Sequence, residues 1–300
     1  MKFGEHYAKA KAKATRPVIS YEVFPPKDEP ATQKLFENVL PRLVDLGPDF
    51  MTVTYGAFGT TQDRTLEIAS RLKRDYGIET ASHLTCVGST PERIDAVLQQ
   101  LRNAGINNIV ALRGDPPAGE EKFVPPEGGF SYANELIEHL RERGADFGVA
   151  VAGYPERHIE APDDATDLAN LKRKVDAGAD IVITQLFYDN DDYFQFVDRA
   201  RKIGITVPIV AGLLPIQSLR QIKRITSLCG SKMPARLEKR LSDVQDDPDA
   251  VKEVGVEWAI GQCEELFTKG VDGIHFYVLN RAKHMERITE ALKTFGLQGA

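Results

Sequence analysis

The chain has 300 residues, 42% of them hydrophobic and 27% charged, with a formal net charge of -6 and a pI near 5.6. This length can bury a sizeable core as one large barrel or as two smaller domains, and the acidic balance leaves no footprint for nucleic acid or an anionic membrane, so a small-molecule or protein partner is expected. Three well-separated cysteines, Cys86, Cys229 and Cys263, exclude a disulfide framework and a CxxC metal pair and indicate a reducing, cytoplasmic compartment.

The opening "AKAKAKATR" is basic, but no apolar h-region follows it and no run of roughly 18 apolar residues occurs anywhere. Residues 1–16 therefore read as a solvated leading helix or arm. From there strand-like and helix-like segments alternate. "VISYEVF" at 18–24 precedes a helical pattern over 32–47, "FMTVTYG" at 50–56 one over 64–77, and "ETASHLTCV" at 79–87 one over 91–105. "NNIVALRGD" at 107–115 is followed, after a long loop over 115–130, by a helix at 132–144. "FGVAVAGYP" at 147–155 precedes 164–178, "DIVITQLFY" at 180–188 precedes 191–204, and "VPIVAGLLP" at 207–215 precedes 217–230. Finally "GIHFYVLN" at 273–280 precedes 281–296, while 231–250 and 251–270 add further helical pattern between the last two strands.

Many of these helices stop at a glycine, such as Gly47, Gly105 or Gly204, where a left-handed cap is wanted, and the strands are short apolar runs suited to a buried parallel sheet. Eight such units closing in order predict an α/β fold, a (β/α)8 TIM barrel with extra helices between strands 7 and 8. We expect residues 1–300 to form one catalytic barrel domain. The alternative, an open doubly wound sheet, normally carries a Gly-rich first turn, and neither GxGxxG nor GxxxxGK[ST] occurs.

Barrels place their chemistry at the carboxyl ends of the strands. Those positions carry Glu22, Thr54, His83, Arg113 with Asp115, Tyr154, Gln185, the Leu214-Pro215 turn and Asn280 with Arg281. Glu22 poses a question of its own, because alternation along Val18, Ser20, Glu22 and Phe24 gives a carboxylate mostly small or apolar company just before Pro25-Pro26. Each residue alone has a structural reading: His83 as a satisfied core histidine, Glu22 as a buried ion pair, Arg113 and Asp115 as partners across a turn. Their joint placement favours a functional rim. No HExxH or carboxylate-histidine cluster suggests a metal, no GxSxG turn supplies a nucleophile, and no strand end offers a Schiff-base lysine. His158, Asn170, Arg173 and Lys174 could hold a pyrophosphate, or form only a solvated basic stripe. The residues by themselves thus indicate a barrel enzyme that binds an anionic cofactor.

"YEVFPPK", "VTYGA", "HLTC", "IVALRGDPP", "YPERHIEA", "NLKRKVDAGAD", "ITQLFYD", "GLLPI" and "FYVLNRA" occur in that order from about Val18 to the last helix. Together they resemble the catalytic domain of 5,10-methylenetetrahydrofolate reductases, in the short bacterial form without the regulatory domain of eukaryotic members. The resemblance implies a cytoplasmic, homo-oligomeric FAD enzyme of one-carbon metabolism and methionine supply, with a ping-pong cycle. NADH or NADPH reduces the flavin and leaves, and the flavin then reduces methylenetetrahydrofolate to 5-methyltetrahydrofolate. It assigns Glu22 as the general acid for folate N10, a task suited to a carboxyl whose pKa is raised among apolar groups. Asp115 is assigned to the flavin pyrimidine edge and the pterin. Thr54, Tyr55, Ala57, His83, Arg113 and Gly114 line the flavin or nicotinamide side by the same resemblance. Tyr132, Ala133, Tyr154, His158, Ala161, Asp167, Asn170, Arg173 and Lys174 hold the rest of FAD. Gln185 serves folate and nicotinamide, Arg281 contacts folate, and Leu219 stands where the enteric pattern has a substrate-stacking Phe. Two other readings remain, a phosphate-binding barrel lyase and a degenerate barrel acting as a partner subunit. The second would be expected to lose Glu22 or Asp115, and both are present.

Overall fold

The structure is a computed structural model in which residues 1–13, 16–55, 62–116 and 123–294 are described. Helix α1 (Phe3–Lys13) precedes β1 (Val18–Val23), and a helical stretch follows as α2 (Glu29–Lys34), a π-turn (Leu35–Val39) and α3 (Leu40–Asp45). Strand β2 (Phe50–Val53) leads to α4 (Gln62–Tyr76), β3 (Glu79–Thr85) to α5 (Pro91–Asn103), and β4 (Asn108–Leu112) to α6 (Ala133–Glu142). Then come β5 (Gly148–Gly153), α7 (Asp164–Asp176), β6 (Ile181–Thr184), α8 (Asn190–Lys202) and β7 (Ile209–Leu213). Helices α9 (Leu219–Cys229), α10 (Ala235–Asp243) and α11 (Pro248–Thr268) separate β7 from β8 (Gly273–Tyr277), and α12 (Ala282–Thr294) follows.

The strands close as a parallel barrel in chain order, β8 pairing with β1 so that Val18 faces Gly273, Ser20 faces His275 and Glu22 faces Tyr277. The TIM-barrel reading and its extra helices before β8 are therefore correct. Caps explain why helices begin where they do: Thr90, Asp163 and Ser218 accept from the backbone N–H of Arg93, Thr166 and Gln221. The helix read over 32–47 differs from expectation. It starts earlier, at Glu29 behind an Asp28 cap, and is broken by the π-turn in which Leu40 N–H donates to Leu35 O. Pro41 has no N–H to donate four residues back, so a continuous α-ladder cannot run through it.

Three apolar clusters organise the core. The largest fills the layer between strands and outer helices, with Leu40, Leu43, Leu72, Leu136 and Phe276 among its members. A second closes the amino-terminal end of the barrel: Phe3 and Tyr7 of α1 pack on Val18, Phe50, Ala81, Val110 and Ala150. There Asn108 accepts from Phe3 N at 2.9 Å and donates to Met1 O at 2.8 Å, tying α1 to the barrel floor. The third binds α9, α10 and α11 beside the β6 and β7 ends through Leu186, Leu214, Ile222, Leu237 and Val251. With the floor closed by α1, the open end among the described residues is at the carboxyl ends of the strands. No helix among the described residues is long and apolar enough to cross a membrane.

Candidate active site

Strand alternation stacks Ser20 and Glu22 on one inward face, and the register to β8 sets His275 and Tyr277 beside them. Glu22 Oε2 accepts from Thr52 Oγ1 at 3.3 Å and meets His275 Nε2 at 3.4 Å. His83 Nε2 stands 3.1 Å from the same oxygen, close enough for an ion pair but off the line of a hydrogen bond. The fully buried His275 ring is held from its other side, where Nδ1 lies 2.8 Å from Ser20 Oγ. Glu22 is thus not in apolar company. Burial pushes its pKa up, but His83 and His275 outweigh burial and hold it well below the usual carboxylate range. The expectation of a raised pKa is overturned, because alternation along β1 could not reveal which side chains β3 and β8 bring across the barrel.

Glu22 and His83 floor a cavity of about 450 Å³ that Thr54, Gly114, Asp115, Gln185, Leu214, Ile225, Tyr277 and Leu279 also line. Gly114 has φ +88°, and a Cβ there would come within 2.7 Å of Val87, so the backbone turn bordering the cavity requires glycine. Asn280 clamps the rim, accepting from Phe24 N at 3.0 Å and donating to Phe24 O at 2.7 Å, beside the double proline.

A second cavity of about 620 Å³ adjoins the first, with Arg113, Tyr154 and His158 lining both. Its walls include Tyr132, Ala133, Ala161, Asp167, Asn170, Arg173 and Lys174. Lys174 Nζ donates to Ala152 O at 2.5 Å and lies 5.8 Å from the Tyr154 ring centroid. Burial lowers its pKa to about 8, an electrostatic deficit that an anion would relieve. Arg113 does not pair with Asp115 across its own turn. Its guanidinium forks onto Glu160, at 2.5 and 2.7 Å.

The methylenetetrahydrofolate reductase family model matches residues 7–293. The chain belongs to that family. It is 47% identical over 272 residues to methylenetetrahydrofolate reductase (NADH) 1 of Arabidopsis thaliana, covering 87% of this chain and 46% of the plant protein. It is 41% identical over 274 residues to 5,10-methylenetetrahydrofolate reductase of Escherichia coli, covering 91% of this chain and 90% of that one. The chain therefore spans about half the length of its plant relative and most of its enteric one. Among solved structures, a Clostridium thermocellum protein that binds two copies of 5-methyl-5,6,7,8-tetrahydrofolic acid matches with TM-score 0.63 and 17% identity, over 96% of this chain and 98% of the other. Dihydropteroate synthase from Xanthomonas albilineans matches with TM-score 0.52 and 14% identity, over 94% of each chain. At these identities the likeness concerns the barrel fold alone.

Seen as a methylenetetrahydrofolate reductase family member, the chain has most of its assigned site residues along the two joined cavities, and of the described ones three stand apart. Ala57 lies outside the described residues. Tyr55 is half-buried against Arg93 and lines neither cavity. Leu219, the first residue of α9, packs on the cluster beneath α10 and α11; the α9 side chain that lines the inner cavity is Ile225, more than a turn further on. Arg281 is exposed just past the Asn280 clamp and outside both cavities. Conversely, His275, Tyr277, Ile225 and Glu160 join the site without having been singled out. For His275 and Tyr277 the signal was the alternation in "GIHFYVLN", which puts both on one face but does not say what that face meets.

Proposed function

We propose that this protein reduces 5,10-methylenetetrahydrofolate to 5-methyltetrahydrofolate, with FAD as cofactor and NADH or NADPH as reductant, in alternating half-reactions at one pocket. The observation that carries the reading is the junction of a carboxylate-imidazole floor with a cationic groove through the shared residues Arg113, Tyr154 and His158. Family membership supports the activity, and the name of the plant relative supports NADH.

The residues present fit FAD. His83 Nε2 is buried without a well-aligned partner and faces the inner cavity, the glycine turn at Gly114 lets a flat ring approach the backbone, and Lys174 and Arg173 supply cations for a pyrophosphate. Bound FAD would take hydride from the nicotinamide and pass it to the folate one-carbon unit. Thr54, His83, Gly114 and Asp115 would hold its ring end, Arg113 would stand where the ring end passes into the pyrophosphate, and the groove from Tyr132 to Lys174 would hold the remainder. Asp115, exposed at the cavity edge, would contact the pterin and disfavour added negative charge nearby. Gln185 would serve whichever substrate occupies the pocket.

Folate N10 must gain a proton as its bond to the one-carbon bridge breaks, leaving an iminium at N5 that accepts hydride. Glu22 is the carboxyl of the floor group and lines the cavity, so it would deliver that proton. His83 and His275, whose Nε2 atoms stand 3.1 and 3.4 Å from Glu22 Oε2, would position that carboxyl, and Ser20 fixes the His275 ring from its other side. A cytoplasmic homo-oligomer completes the reading. Purified protein should be yellow, release FAD on denaturation, bleach anaerobically with NADH or NADPH and recolour with methylenetetrahydrofolate. Absence of flavin binding after FAD supplementation would refute it.

A further inference from the structure

Arg113 sits at the boundary between the two cavities, and all of its polar edges are engaged. Both Nη atoms face Glu160, Nε turns to Gly114 O at 3.4 Å, and the Phe123 ring lies 5.5 Å from the guanidinium carbon. The two partners differ in freedom. The Arg113 side chain is 23% exposed and held between loops, whereas Glu160 is 53% exposed on the loop after β5 and can swing into solvent. That loop is pinned by its backbone: Glu160 N donates to His158 Nδ1 at 3.1 Å, and His158 N to Asp167 Oδ2 at 3.2 Å. Only the Glu160 side chain is therefore free to move. The other cations of the groove also have internal partners, Lys174 at Ala152 O and Arg173 at Asn170 Oδ1. Among the described cations of the groove, Arg113 is the one in ion-pair contact with a carboxylate of its lining, whereas Asp167 acts on Lys174 only at longer range.

We propose that Glu160 is a built-in competitor for the anionic ligand of this groove, occupying the Arg113 fork in the ligand-free protein and giving it up to a phosphate of the bound dinucleotide. This rests on the FAD reading above. The physical ground is that a guanidinium offers one bidentate fork, which a carboxylate and a phosphate fill in the same way, so one must leave when the other arrives. Apparent affinity is then reduced by the fraction of molecules whose fork is already taken. Glu160 thereby tunes cofactor retention without touching the reacting atoms.

The test is titration of flavin-free protein with FAD, followed by flavin fluorescence, and separately with inorganic pyrophosphate, followed by calorimetry, for the native chain and Glu160→Gln. A half-exposed pair is worth about 1 kcal/mol, so Kd for both probes should fall about fivefold in the variant, with the difference shrinking at high salt. Unchanged or weaker binding by Glu160→Gln would make Glu160 a spectator or a strut for Arg113 and overturn the proposal. Should the variant not fold, a structure of the native protein with FAD decides: the Arg113–Glu160 pair must be broken there, and an intact pair is fatal. If FAD fails to bind the native chain while pyrophosphate still shows the fivefold difference, the FAD reading falls and the competitor stands.

Discussion

Glu22 shows how far one side chain can be read before its neighbours are known. Its type and its place at a strand end were visible in "SYEVFPPK", but its electrostatic setting depended on His83 and His275, residues 61 and 253 positions away in sequence. The assigned role is still separable by experiment. In Glu22→Gln, flavin bleaching by NADH or NADPH should persist within about tenfold, while reoxidation by methylenetetrahydrofolate should slow by at least roughly 10²-fold. Equal losses in both half-reactions, with FAD retained, would reduce Glu22 to a structural residue. Lys174 makes a second residue-scale case. An ammonium whose pKa falls from 10.5 to about 8 costs the fold on the order of 3 kcal/mol at neutral pH. Between pH 8 and 10.5 the unfolded chain binds more protons at this site than the folded one, so stability recovers as pH rises through that window. Lys174→Met should therefore melt higher than the native flavin-free protein at pH 7, lose that advantage by pH 10, and bind FAD at least several-fold more weakly. Equal melting of the two proteins at pH 7 would show that the amine is not destabilising.

At the scale of elements, close approach decides what propensity alone would get wrong. Gly255 lies inside α11, and a Cβ there would come within 2.2 Å of Ile216 O in the loop after β7. Alanine is the better helix former by about 1 kcal/mol, yet overpacking against backbone costs about 1–3 kcal/mol and cannot be relieved by a rotamer change. Gly255→Ala should therefore lower the urea midpoint, and an increase would mean that α11 shifts freely over the loop. Alternation of apolar strands with Gly-terminated helices sufficed to read the barrel, because that period is a local property. The break at Leu35–Val39 was missed although Pro41 was in plain sight, since a helical pattern on either side masks a single absent N–H. Which side chain of α9 meets the cavity was not legible for a related reason: that face follows from where α10 and α11 cover the helix, and no periodicity in α9 itself contains that information.

For the molecule as a whole, α1 is the element whose removal should be felt most. Without residues 1–13 the floor loses the buried Phe3 and Tyr7, and Asn108 loses both of its amide partners. A lost core aromatic costs about 3–5 kcal/mol and an orphaned buried amide about 1–3 kcal/mol, so the truncated protein should melt about 10 °C lower or become insoluble. A melting point within about 2 °C of the full chain would show that α1 only decorates the barrel. The β1–β8 seam has a different consequence, for synthesis on the ribosome. One side of β1 has its hydrogen-bonding partner in Gly273–Tyr277, so translation must pass β8, roughly 250 residues later, before that edge can be satisfied. Throughout elongation the nascent chain presents an open, apolar parallel sheet, and any ribosomal pause ahead of β8 prolongs its exposure to aggregation or to chaperone capture.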